Sequence, residues 1–225
     1  ELMLTCLYKN GILHIDDLSM TKKGLMGLQA SGIVPILKSE IKEMPISLSS
    51  NFSNLPLKFI HRFIPNFYNL EGYGNGSIDI SGVLDSTSFK YDFNVKGAKF
   101  DIIDLGYFIS KGVYNGKTLN VENVRSESSS GSIHGTGILP FDFNLGSKNF
   151  GKFFEKGEFR FDTYSKIKNL PFLSPYITDL DSAIGDFDIE LSLSGIESNL
   201  QRNGKIMVSN ASLHTLLLSN PVTSI

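Results

Sequence analysis

Phe187-Asp188-Ile189-Glu190-Leu191-Ser192-Leu193-Ser194, closed by Gly195, writes apolar and polar residues in strict turn. A period of two puts successive side chains on opposite faces of a strand, so this segment has one dry face and one wet face. The same pattern runs through Ile78-Asp79-Ile80-Ser81, Tyr91-Asp92-Phe93-Asn94-Val95-Lys96 and Phe159-Arg160-Phe161-Asp162. Leu13-His14-Ile15-Asp16, Leu119-Asn120-Val121-Glu122, Ile133-His134 and Ile206-Met207-Val208 continue it more weakly. Gly or Asn separates most of these runs, which suits short-looped antiparallel strands. The expected fold class is all-β.

The 225 residues suffice for a sizeable core, and Trp 0 with Phe 17 and Gly 21 fits strands and turns better than a helical bundle. Lys and Arg total 21 against 23 Asp and Glu, so the basic excess of a nucleic-acid surface is missing and no nucleic-acid partner is expected. A lone thiol, Cys6, excludes an internal disulfide, and His14, His61, His134 and His214 have no metal-ligand spacing. No metal or cofactor is expected. Asp79, Asp92, Asp186 and Asp188 fall at wet-face positions where a solvated carboxylate is the default, and no serine has an evident base, so no catalytic residues are assigned and the chain reads as a non-enzyme.

Two stretches break the alternation. Leu55 to Leu70 and Leu170 to Leu180 space apolar residues by three and four around a proline, which predicts short helical segments near 55–70 and 170–180 flanking the sheet. Gly146 to Gly157 and Ser126 to Ser130 read as loops, Gly72 to Gly76 as a turn, and Ser128 to Gly131 as a flexible linker. The longest apolar runs fall far short of the roughly 20 residues that a membrane span needs. A start at Glu1 and an end in mid-pattern at Ile225 predict a fragment of a longer protein, with any membrane anchor outside it.

The chain also matches itself. Leu13 and Pro35 recur as Leu119 and Pro140, offsets of 106 and 105 residues, and Leu55 and Gly82 recur as Leu170 and Gly195, offsets of 115 and 113. Residues 1–225 therefore read as a single continuous repetitive β region, in which about 11–82 matches about 117–195 with a unit of roughly 105–115 residues.

Within that unit, Gly74-Asn75-Gly76-Ser77-Ile78-Asp79-Ile80-Ser81-Gly82 and Gly185 to Gly195 each follow a Leu-Pro segment and precede a small-residue step, Gly97-Ala98 or Asn210-Ala211. Together with Gly131 to Leu139 and Asn220-Pro221-Val222, this arrangement resembles the TamB and AsmA-like proteins of Gram-negative envelopes. The resemblance implies an elongated, curved, mainly antiparallel β-taco whose apolar concave groove shields phospholipid acyl chains during transport between inner and outer membranes. It implies a periplasmic location, with anchoring in the inner membrane by an N-terminal segment outside this sequence. The side chains expected to face the groove are Ile78, Ile80, Phe93, Val95, Leu119, Val121, Ile133, Phe159, Phe161, Phe187, Ile189, Leu191, Leu193, Ile206 and Val208. The alternative expectations are a scaffold that assembles outer-membrane β-barrel proteins through exposed sheet edges, or an ordinary β-sandwich or β-solenoid module.

Overall fold

The computed structural model describes residues 1–22, 26–36, 43–58, 69–101, 103–154, 156–168, 180–196, 198–215 and 222–223. These build one antiparallel sheet whose strands lie in chain order. The strands are β1 (Leu2–Lys9), β2 (Ile12–Lys22), β3 (Met26–Pro35), β4 (Pro45–Pro56), β5 (Leu70–Val83) and β6 (Ser86–Phe100). They continue as β7 (Ile103–Tyr114), β8 (Leu119–Ser128), β9 (Gly131–Leu139), β10 (Phe159–Lys168), β11 (Leu180–Ile196), β12 (Asn199–Thr215) and the two-residue β13 (Val222–Thr223). The sheet does not close on itself, and it is elongated and curved. Twelve long strands at about 4.8 Å spacing extend it roughly 50 Å across the strand direction.

Residues paired across antiparallel neighbours share a face. Following the pairs from Val95 outward gives one apolar face from β1 to β12. It carries Leu4 opposite Leu18, Leu28 opposite Phe52, Leu48 opposite Ile80, and Phe89 opposite Tyr114. The other face carries Ser49 opposite Asp79, Asp92 opposite Lys111, and Lys166 opposite Asp188.

Burial separates the two faces. Ile46, Tyr91, Val95, Tyr114, Val121 and Phe187 are all buried, as are the polar Thr87, Ser110, Ser126 and Ser165, and every one of these sits on the apolar face. Among the described residues no second sheet lies against it; the crowding fits the concave side of a curved sheet, where side chains converge, and the connection between β9 and β10 adds to it over Thr87 and Tyr114. The accessible surface is 14469 Å², whereas a compact monomer of this mass has about 10,000 Å².

The curvature has local causes that recur. β2 bulges by one residue against β3 between Ile15 and Leu18, and β8 bulges identically against β9 between Val121 and Val124. β6 carries an extra residue opposite the step from Glu71 to Tyr73, and β12 carries one opposite the step from Ile184 to Asp186. Both steps hold a glycine at positive φ, Gly72 at 120° and Gly185 at 147°, and both bulges hold a left-handed residue, Gly97 at 62° and Asn210 at 52°. A bulge bends its strand and increases local twist, so such pairs curl a sheet in one direction.

Several sequence expectations need correcting. Gly72 to Gly76 is strand, inside β5, because cross-strand bonds to β6 continue through it. The loop expected at Ser126 to Ser130 and the linker expected at Ser128 to Gly131 are a tight hairpin instead: β8 runs to Ser128, a two-residue turn follows, and β9 begins at Gly131. The helical segments expected near 55–70 and 170–180 fall largely outside the described residues. Of their described residues, Leu55 and Pro56 close β4, Leu57 and Lys58 form a 3-10 turn within the first segment, Leu70 opens β5 and Leu180 opens β11.

Candidate functional site

The fifteen side chains expected to line a groove all lie on the apolar face. Ile78 and Ile80 stand opposite Tyr91 and Phe89, while Phe93 and Val95 stand opposite Gly76 and Gly74. Leu119 and Val121 pair with Leu139 and Gly137, and Ile133 pairs with Ser126 and Ser165. Phe159 and Phe161 meet Gly195 and Leu193. Leu191 meets Thr163, and Phe187 and Ile189 meet Val208 and Ile206.

Coverage of this face is uneven. Val95 is 2%, Val121 4% and Phe187 5% exposed, but Leu191 is 37%, Val208 48% and Ile206 64% exposed. The middle of the face is packed and the β11–β12 end is open. Period two misses part of what packs the middle. Leu57 and Ala98 join Val95 in a buried cluster, with Leu70, Leu105 and Phe108 against it, where β4 ends and β5 begins.

The second missed element is the connection from β9 to β10, residues 140–158, whose described residues 140–154 and 156–158 fold back over the apolar face as a strap. Phe143 sits between rings, 5.9 Å from Phe89, 5.6 Å from Tyr114 and 5.2 Å from Phe141. Phe141 stacks on Phe153 at 4.2 Å, and Phe153 reaches Phe159 at 6.1 Å. Apolar burial and ring contacts hold the strap down, and hydrogen bonds fix its position. The Phe143 amide donates to the Tyr114 hydroxyl oxygen at 3.0 Å. The buried Asn144 accepts from the Thr87 amide and donates to the Gly116 carbonyl, both at 3.0 Å, so it ties two hairpins together. The buried Asp142 carboxylate accepts from the Asn144 amide, its side chain and the Ser147 hydroxyl. The expectation of a loop at 146–157 leaves out this anchoring; Phe141 and Phe143 are the signal for it, two rings at period two beyond the end of β9.

The face disfavours charge. Burial pushes the Tyr91 and Tyr114 phenols above their ordinary value, against the opposing hydrogen bonds to Ser110 and Phe143. Among the described residues the charged ones on this face include Arg202, opposite Leu193 on the exposed β12, and Lys22, opposite Met26 at the exposed end of β2. The polar face does the reverse: hydrogen bonds from Ser192 and then Arg160 hold the Asp162 carboxyl below its ordinary value. His14 and His134 lie on this polar face, His134 opposite Arg125 and Tyr164. Among the described residues no group of three or more His, Cys, Asp or Glu could hold a metal, and no helix is long and apolar enough to cross a membrane.

Comparison with known proteins finds no match to this chain among family models, curated proteins or solved structures.

Proposed function

We propose that this chain is a length of groove in a bridge-like lipid-transfer protein of the TamB and AsmA-like kind, working in the periplasm of a Gram-negative envelope by binding and not by turnover. The observation that carries the reading is the continuous apolar face with no second sheet against it among the described residues, covered in its middle by the strap and open at β11–β12 where Leu191, Ile206 and Val208 remain exposed. Exposed apolar patches beyond a few hundred Å² mark a surface that something covers. Acyl chains suit such a cover, because hydrophobic burial is non-directional and a chain can slide along it. The groove side chains named above take that role, and phospholipid is the partner. No cofactor enters.

A second reading has its own observation. All eight residues of the edge strand β1 are exposed, and it shows apolar side chains on both faces, Leu2 and Leu4 on one and Met3 and Leu7 on the other. An unprotected edge is a template for strand addition, the mode by which a scaffold would engage an outer-membrane β-barrel protein.

Native mass spectrometry on the chain purified from a bacterial envelope separates them. Leu191→Glu and Ile206→Glu change exposed positions, so the fold should survive, as circular dichroism would check, while a carboxylate beside hydrocarbon should displace lipid. Phospholipid present in the parent and lost in the variants supports the conduit. Lipid equally retained by folded variants, or absent from the parent, defeats it.

A further inference from the structure

The apolar face, if it holds acyl chains as proposed above, leaves open where the polar end of the lipid sits. We infer that the strap at residues 140–158 is the headgroup site: Lys148, Lys152 and Lys156 take the phosphate of a phospholipid whose chains lie on the apolar face beside it.

The strap joins the groove to solvent by an unbroken run of rings. Phe89 and Phe159 belong to the apolar face, Phe143, Phe141 and Phe153 bridge them, and Phe150 packs on Phe143 at 5.6 Å. At the outer end the apolar groups come into water: Leu145 is 44%, Phe150 37% and Phe153 38% exposed. Lys148, Lys152 and Lys156 are interleaved with them and exposed. Among the described residues no ion pair holds any of the three. Apolar groups alternating with cations are what a glycerophospholipid presents in complement, hydrocarbon and glycerol first and phosphate beyond.

The strap carries acidic residues as well, Asp142 and the exposed Glu158 among those described. Its Asp142 carboxylate is buried and turned onto Asn144 and Ser147, which removes it from competition for the lysines. The backbone that carries Lys152 is pinned to the strap's inner part: the Asp142 amide donates to the Lys152 carbonyl at 2.9 Å, and the Gly151 amide donates to the Asp142 carbonyl at 2.7 Å. A strap fixed at the strand ends, over the apolar face, places cations where a chain bound on that face must emerge. Ordinary surface lysines lack both the ring path and the fixed backbone.

The test compares two lipids with identical chains, phosphatidylglycerol and diacylglycerol, loaded onto the purified chain and counted by native mass spectrometry. The parent should hold phosphatidylglycerol at least about fivefold more than diacylglycerol at low salt, the factor that one well-placed basic residue gives near an anionic lipid. That preference should shrink as salt is raised. In the triple variant K148Q/K152Q/K156Q it should vanish, with diacylglycerol occupancy unchanged. Equal retention of both lipids by the parent overturns the headgroup site and leaves the groove standing, whereas retention of neither overturns both. A triple variant that keeps the preference but loses sedimentation with phosphatidylglycerol vesicles would make the strap a bilayer contact and overturn the assignment.

Discussion

β2–β6 and β8–β12 share two backbone irregularities but have different fillings, and the bulge of β4 against β5 between Phe52 and Leu55 has no counterpart between β10 and β11. The bulges at Ile15/Leu18 and Val121/Val124 match at an offset of 106 residues, and those opposite Gly72 and Gly185 match at 113. Ala98 and Ala211, also 113 apart, are both buried behind their bulges. On the apolar face, however, Gly74 and Gly76 occupy the places that Phe187 and Ile189 occupy in the second region. The space above Gly74 is filled from the neighbouring strand end by Leu57 and Phe52. Where residues 36–44 join β3 to β4, the strap at 140–158 joins β9 to β10. Curvature is thus fixed by where the backbone bulges, while the contents of the concave face vary within the apolar class.

Replacing a glycine at a backbone contact should break both regions alike. A Cβ on Gly137 would meet the Arg160 carbonyl and lie 2.5 Å from the Phe161 ring, and one on Gly32, where φ is 144°, would run into the Ser47 carbonyl. Neither obstacle is a flexible tip. Gly137→Ala and Gly32→Ala should each cost more than about 3 kcal/mol by urea denaturation, or give no soluble protein. If either variant stays within about 1 kcal/mol of the parent, the glycines do not set strand spacing.

The unequal pair Phe187 and Gly74 sharpens the comparison next. Phe187→Ala removes a buried ring and should cost about 3 kcal/mol or more. Gly74→Ala places its Cβ 3.4 Å from Leu57 and 3.6 Å from Phe52 with no positive φ, an ordinary contact. That change should stay within about 1 kcal/mol, because any crowding is offset by a stiffer unfolded chain. Equal costs would mean that the two regions are filled alike.

Much of this comparison is legible in the amino-acid sequence. Alternation in Phe187 to Ser194 gives the strand, its face and its neighbours' faces, because the period of two is enforced by the pleat itself. The offsets Leu13 to Leu119 and Gly82 to Gly195 fall on strands that share bulges. Gly72 is harder: five residues with three glycines look like a turn, and only the pairing of its neighbours with Lys96 and Lys99 makes them strand. The strap is hidden for a related reason. Its order comes from long-range bonds, Asn144 to Thr87 and Phe143 to Tyr114, which leave no local periodicity.

Those long-range bonds, which anchor the strap to β6 and β7, give the third prediction. Asn144→Ala strands the Thr87 amide and the Gly116 carbonyl and should cost about 2 kcal/mol. Tyr114→Phe removes only the acceptor for the Phe143 amide and should cost about 1 kcal/mol. Protease should cut the strap faster in both variants, with β2–β4, which none of these bonds reaches, protected as in the parent. Unchanged cleavage would show that ring contacts alone hold the strap.

The smallest effect expected lies on the polar face, at Asp162 on β10. Ser192 across the strand pair and Arg160 two residues away both donate to its carboxylate, and they hold its affinity for protons below the unfolded value. A depressed carboxyl contributes stability above the unfolded value and loses it as pH falls through the folded one, so the contribution should fade as pH drops through and below the ordinary carboxylate range. Asp162→Asn lacks this proton uptake, and its urea midpoint should fall less steeply than the parent's over that window. The group is exposed and water screens it, so the two curves should separate only slightly. Low salt should widen the gap and high salt close it, which distinguishes a charge on the wet face from the packing effects that govern the apolar one.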